Sequence, residues 1–205
     1  MIKKKLYPKT QRLTNKTKYL ITEKLDGSNL SFFKLNNALY IAQRNMIYTI
    51  DEIEELKQKM YGGLYNWLQK HEKDLKDMLN DGSAIIGEWI GMGQIKYGDT
   101  LGSNKFFMFA KANVNEKLEI YNLRYDHDLF FYPFTDQIIP DFISLVPIVA
   151  EGVTDFTLAD MDYLYDHVTR NLNRKVEGFI LSNGTTVRKY VRYKNGELTD
   201  HKEGN

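Results

Sequence analysis

The chain contains no cysteine, so neither a disulfide framework nor a thiolate zinc site holds it together, and nothing marks its redox compartment. Proline is sparse. Only Pro8, Pro133, Pro140 and Pro147 occur, and no Gly/Ser/Pro linker, low-complexity tract or internal repeat divides the chain. One compact domain over residues 1–205 is therefore expected. No apolar run reaches membrane-spanning length, and none of signal-peptide length follows the basic start MIKKKLYPKTQRL. The expectation is a soluble, cytoplasmic protein with no membrane partner. The four histidines, His71, His127, His167 and His201, show no metal-ligand spacing and are assigned no role.

Net charge is nearly absent too, at +1 from 28 basic and 27 acidic residues. That excludes a surface basic all over, so any grip on a phosphate-rich partner must come from local clusters. Two exist. Lys3, Lys4, Lys5, Lys9, Arg12, Lys16, Lys18 and Lys24 face a single acid, Glu23, over the first 24 residues. Arg188, Lys189, Arg192 and Lys194 crowd a second stretch. A solvated face is the ordinary explanation of such runs, so motifs must decide.

What is present is the composition of a folded enzyme, 42% hydrophobic and 27% charged. Tyr19 to Thr22 reads as a strand, LDGSN as a turn, and Ser31 to Phe33 and Ala38 to Ala42 as a hairpin around Asn36-Asn37. Ile53, Leu56, Met60, Leu64, Trp67, Leu68, Leu75 and Leu79 follow helical spacing, divided at Gly62-Gly63 and stopped at Asn80-Asp81-Gly82; the stripe is read as core packing. Strands are predicted at Ala84 to Ile90, Lys105 to Val114, Lys117 to Asn122 and Ile143 to Ala150. A helix from Thr157 to Asn171 opens with a capping box to Asp160, and strands Gly178 to Ser182 and Thr186 to Tyr193 flank an Asn183-Gly184 turn. Antiparallel strands with a few helices describe an α+β domain.

Within this pattern Glu23-Lys24-Leu25-Asp26-Gly27-Ser28-Asn29 resembles the K-x-D-G motif of the covalent nucleotidyltransferases, and in this form it is closest to ATP-dependent RNA ligases. K-x-D-G alone is weak, since a lysine before an Asp-Gly turn is a common hairpin element. Further pieces follow in the family's order. Arg44 in AQRN resembles motif Ia, Glu88 in IIGEWIG motif III, and Phe109 in KFFMFAKANV motif IIIa. Glu177 in VEGFIL resembles motif IV, and VRKYVRYK motif V. Each has an ordinary alternative: strand-edge acids for Glu88 and Glu177, core for Phe109, a hairpin-end charge for Arg44. Six such coincidences in sequence order are the less economical account.

The resemblance implies an α+β nucleotidyltransferase fold, the ATP-grasp-like adenylation domain of DNA and RNA ligases, with antiparallel sheets and flanking helices around an ATP cleft. It implies an enzyme joining 5′-phosphate and 3′-hydroxyl RNA ends through lysyl-AMP on Lys24, with ATP and magnesium or manganese as cofactors. Lys24, Lys189 and Glu177 are the implied catalytic residues, and Glu177 with Glu88 the implied metal ligands. Nucleotide binding falls to Glu23, Lys24, Asp26 and Gly27, to Arg44, Glu88 and Phe109, and to Lys189, Arg192 and Lys194. Chemistry agrees with these residue types: a nucleophilic lysine must lose the proton it carries at its ordinary pKa of about 10.4, which nearby cations encourage. Magnesium prefers oxygen ligands, and an aromatic face suits adenine.

Two departures leave alternatives open. Ala110 and Lys111 follow Phe109 where relatives carry an aspartate, so Phe106 and Phe107 remain candidates for the stacking ring. Motif V lacks the lysine-hydrophobic-lysine triplet, and strand alternation puts Arg188, Tyr190, Arg192 and Lys194 on one face and Lys189 on the other. Only eleven residues follow Lys194, so neither an oligonucleotide-binding fold nor another appended C-terminal domain is expected. The chain is read as a monomer acting on RNA ends, nicked duplex included, with a protein partner as one source of RNA binding. The alternatives are a capping-type guanylyltransferase and a catalytically silent binder of nucleotides or RNA ends.

Overall fold

The computed structural model describes residues 2–3, 11–12, 19–56, 62–91, 93–125, 139–153, 156–183, 186–194 and 197–199. Lys4, Lys5, Lys9, Lys16 and Lys18 lie outside these, as do Met60, His127, Pro133, Gly184 and His201. The described residues form fifteen strands. A larger sheet holds β1 (Ile2–Lys3), β4 (Ser28–Leu35), β5 (Ala38–Gln43), β6 (Met46–Tyr48), β7 (Ser83–Trp89), β8 (Phe106–Val114), β9 (Ile120–Arg124) and β10 (Ile143–Leu145). Its order is β1-β6-β5-β4-β7-β8-β10, with β9 also on β8. A smaller sheet runs β11 (Ile148–Val153), β3 (Tyr19–Lys24), β12 (Gly178–Ser182), β13 (Val187–Val191), β2 (Gln11–Arg12). The hairpin β14 (Tyr193–Lys194) and β15 (Glu197–Leu198) stands apart. Among the described residues the pairings are antiparallel except β10 with β8 and β13 with β2. With three α-helices, α1 (Ile50–Leu56), α2 (Leu64–Met78) and α3 (Leu158–Leu172), and a 3-10 turn at Gly98–Leu101 among the described residues, the expected α+β class is observed.

Local signals act where the sequence places them. Asn36 and Asn37 both take positive φ, 50° and 61°, which asparagine tolerates and a two-residue hairpin turn requires. Thr157 caps α3 by accepting from the Asp160 backbone N–H, and the Asp160 carboxylate accepts from the Thr157 N–H at 2.8 Å. The predicted strand from Ile143 to Ala150 is in fact two, β10 and β11, in different sheets. Pro147 supplies no ladder N–H, and the chain changes sheets at Val146-Pro147.

Each sheet buries one face under helices. Leu30, Phe32, Ile85, Trp89, Phe106 and Met108 of the larger sheet pack on Leu64, Leu68 and Leu75 of α2. Ile21, Phe179, Leu181 and Tyr190 of the smaller one pack on Met161 and Tyr165 of α3. Leu25, Ile95, Tyr97, Phe107, Val146 and Tyr193 form a further cluster drawn from β8, the β14–β15 hairpin and the connections between strands. Among the described residues no helix is long and apolar enough to cross a membrane.

Candidate functional site

Register in the smaller sheet decides which side chains meet. Lys24 stands opposite Gly178 and Thr22 opposite Ile180, while Ile180 stands opposite Lys189 and Gly178 opposite Val191. Because side chains alternate along a strand, Thr22, Lys24, Ile180, Lys189 and Val191 share one face. Ile21, Glu23, Phe179, Leu181, Arg188 and Tyr190 share the other, which α3 covers. This answers the question left open by the sequence: Lys189 lies on the Lys24 side. Val191 takes the second position there, so β13 has no counterpart to the second lysine of the family triplet.

Arg192 goes to the helix side. Its guanidinium donates to Asp162 of α3 at 2.5 Å and to the Thr199 carbonyl at 2.9 Å, and it stacks over the Tyr165 ring at 5.5 Å. Tyr190 donates to the same Asp162 carboxylate. Lys194 is exposed in the β14–β15 hairpin. Of the motif V cations, only Lys189 is placed by β13 on the Lys24 face.

Lys24 Nζ donates to Glu177 Oε2 at 2.5 Å, and both side chains are mostly buried. Glu88 enters from the larger sheet, opposite Asn29 of β4. Burial pushes the Glu88 carboxyl up to about 7; Lys24 pulls the other way, and Glu177 and Asp26 add like-charge repulsion. Glu177 is also raised, first by burial and against the pull of Lys24, with a smaller opposing pull from Lys189. Thus β7 of the larger sheet and the residue just ahead of β12 in the smaller one each bring an acid whose charge the Lys24 amine feels.

The turn between β3 and β4 is clasped from outside. Asp26 Oδ2 accepts from the Ile95 backbone N–H at 2.8 Å, and the Asp26 N–H donates to Tyr97 Oη at 2.6 Å. The backbones meet so closely that a Cβ on Gly93 would fall 2.1 Å from the Asp26 carbonyl oxygen, and one on Gly27 2.4 Å from that of Trp89. Asp26 therefore organises the turn. Glu23, for which the resemblance implies nucleotide binding, points to the α3 side, where Arg174 donates to both its oxygens at 2.6 and 2.7 Å. The same guanidinium lies 5.1 Å over the Tyr97 ring. Tyr97 and Arg174 went unnoticed in the sequence. The one available signal was Glu23 itself, an acid alternating into an apolar face, which demands a cationic partner.

Phe109 is the extra residue of a β-bulge: Ile86 pairs with Ala110 and Gly87 with Met108. The bulge lets Phe109 touch two apolar clusters while staying half-buried, with its ring nearly parallel to that of Tyr125 at 6.1 Å. Phe106 and Phe107 are fully buried, which removes them as stacking surfaces. Arg44 is exposed in the β5–β6 turn. His71 packs on Phe142 at 4.0 Å and His167 meets Asn171, both outside this cluster.

A divalent metal fits the donors in one particular way. Among the described residues no three His, Asp or Glu converge into a ready-made cage, but magnesium and manganese commonly take one or two carboxylates and complete their shell with water and phosphate. Glu177 and Glu88 are two such acids. Their carboxyls are raised by burial, and a cation beside them would compensate the desolvated charge.

Residues 17–194 match the RNA ligase family. No curated protein matches closely enough to count. Among solved structures, an apo RNA ligase of Naegleria gruberi is similar over 93% of this chain and 58% of its own, at 15% identity and a TM-score of 0.52. That organism's RNA ligase with ATP and manganese gives 91%, 56%, 15% and 0.53. A provisionally assigned ATP-dependent DNA ligase from Aquifex aeolicus gives 91% and 49% coverage, 17% identity and a TM-score of 0.52. The chain spans about half to three-fifths of the length of these proteins. At such identity the likeness is one of fold, that of the ligase-type nucleotidyltransferases. The family match runs from ahead of β3 to the end of β14 and so takes in Lys24, Glu88, Glu177 and Lys189 alike: this chain belongs to the RNA ligase family.

Proposed function

We propose that the chain is an ATP-dependent RNA ligase that seals 5′-phosphate to 3′-hydroxyl ends through a lysyl-AMP on Lys24. The observation that carries this reading is the Lys24 amine held 2.5 Å from Glu177 with Glu88 facing it from the other sheet. In the first step the lone pair of Lys24 Nζ attacks the α-phosphorus of ATP; a P–N bond forms, the bond to the bridging oxygen breaks and pyrophosphate leaves. Bound magnesium or manganese would neutralise phosphate charge and orient the leaving group. Glu177 holds the amine in place and would also serve as a ligand of that cation, and Lys189, on the same face, offsets charge developing on the phosphate oxygens. Glu88 suits the ribose hydroxyls or the metal, Phe109 the adenine face, and Arg44 incoming negative charge.

Next, an oxygen of the RNA 5′-phosphate attacks the adenylyl phosphorus and the lysine leaves. A 3′-hydroxyl then attacks the activated 5′-phosphorus, AMP departs and the strand is sealed. The test is incubation with α-labelled ATP and magnesium. An acid-labile protein adduct is expected, and Lys24→Ala should abolish it. Labelling by GTP instead of ATP would replace this reading with a capping one. No labelling by any nucleotide would leave a silent binder.

A further inference from the structure

Lys24 is the last residue of β3 and stands at the lip of a turn, where a lysine would ordinarily wander. An attacking nitrogen must nevertheless be aligned with the phosphorus, and misplacement by an ångström can cost about a hundredfold in rate. We propose that Arg174 and Tyr97 are positioning residues for Lys24, forming a brace that aligns the nucleophile from behind without touching the nucleotide. This rests on the reading of Lys24 as the adenylylated residue.

The brace grips the chain on both sides of Lys24. Before it, the Arg174 guanidinium forks onto both oxygens of Glu23; a bidentate pair fixes rotation as well as distance. Both side chains are almost wholly buried, Arg174 9% and Glu23 1% exposed, so water does not compete. After it, Tyr97 Oη takes the Asp26 N–H at 2.6 Å, while Ile95 N–H holds the Asp26 carboxylate. The Arg174–Tyr97 stack, at 5.1 Å, ties these two grips into one unit. It joins the exit of α3 to the loop after β7. The helix-covered face of the smaller sheet thereby controls the register of an amine that acts on the opposite face. Arg174 also neutralises Glu23, so the strand residue beside Lys24 does not draw the amine away from Glu177.

The experiment measures single-turnover labelling of Lys24 at saturating ATP beside the dissociation constant of a non-hydrolysable ATP analogue. For Arg174→Ala the labelling rate should fall about a hundredfold while analogue affinity stays within about threefold. Arg174→Lys, with neither fork nor flat stacking face, should recover little of the rate. Tyr97→Phe keeps the ring and loses the acceptor for Asp26 N–H; about a tenfold loss of rate at unchanged affinity is expected, and this variant decides the matter if Arg174→Ala does not fold. The double variant Glu23→Gln with Arg174→Ala removes the orphaned carboxylate and should remain slow. Full rate in the double variant would reduce Arg174 to a counter-ion and overturn the proposal. So would wild-type rates in Tyr97→Phe, or affinity falling in step with rate. A wild-type protein that never labels sinks the ligase reading and the brace together, whereas normal labelling in wild type and all variants sinks the brace alone.

Discussion

At Glu88, burial works against charge, and the sign of the consequence can be worked out. Its carboxyl is pushed up to about 7 in the fold from an ordinary 4.5, so between those values the folded state holds the proton more tightly than the unfolded chain. Stability from this group is intact below the window and is lost as pH rises through it. Wild-type protein without nucleotide or metal should therefore lose stability relative to Glu88→Gln between about pH 5 and about pH 8 in urea unfolding. A difference independent of pH would refute the assignment. Glu177 separates binding from chemistry: Glu177→Ala should lose the labelled adduct yet still bind an ATP analogue measurably. Full labelling in that variant would break the motif IV assignment. Lys189 and Arg192 should part company as their faces do. Lys189→Ala is expected to slow labelling by about a hundredfold. Arg192→Ala, which unties Asp162 and Thr199 on the helix side, should cost about 1–3 kcal/mol of stability and leave labelling near wild type. Equal labelling losses in the two would mean that the faces have been misassigned.

Elements show where sequence suffices. The α3 cap was legible because a capping box is a local chemical rule, and Thr157→Ala should lower stability by about 1 kcal/mol, seen as a lower melting temperature with labelling retained at ambient temperature. No change in melting would mean that the box contributes nothing to folding. The longer strands were legible for the same reason, from β-branched and aromatic runs bounded by Asn and Gly, whereas the two- and three-residue strands β1, β2, β6 and β15 are too short to carry such a run and were not predicted. The division of Ile143 to Ala150 was less so: Pro147 was visible, but which sheet each half joins depends on partners more than thirty residues away, Phe106 for Ile143 and Thr22 for Ile148. The bulge at Phe109 was likewise hidden, since two residues opposing one can be read only once β7 and β8 are paired. Lys24, Glu88, Glu177 and Lys189 could be picked out because a chemical order along the chain marks them. Their convergence, and the Arg174–Glu23–Tyr97 network behind them, are products of register, which the order of residues does not spell out.

On the scale of the whole molecule, each sheet carries helices on one side; on the other, the larger sheet buries a second apolar cluster of Phe33, Ile47, Ile86 and Ala110 and presents Glu88 beyond it, while the smaller one presents Lys24 and Lys189. Trp89, Phe106 and Leu68 on one side and Phe179, Tyr190 and Met161 on the other are all 1% exposed or less, so each layer has a core of its own. The amine ends β3 and its first acid, Glu177, immediately precedes β12, so the β3–β12 backbone ladder brings the two together. Glu88 and Phe109 come from the other sheet.

That ladder also imposes a timetable on synthesis. The larger sheet has all its described strands once Leu145 has been made, whereas both neighbours of β3, namely β11 and β12, are encoded from Ile148 onward. During translation the strand ending in Lys24 thus waits without its native partners while more than a hundred further residues emerge, a long-range pairing of the slow-folding kind. An unfinished chain consequently lacks the acid that completes the amine's surroundings. On the proposed reading, self-adenylylation would wait until Glu177 and the strand it introduces have been translated, and a chain released early would offer the ribosome's neighbourhood an unpaired strand edge.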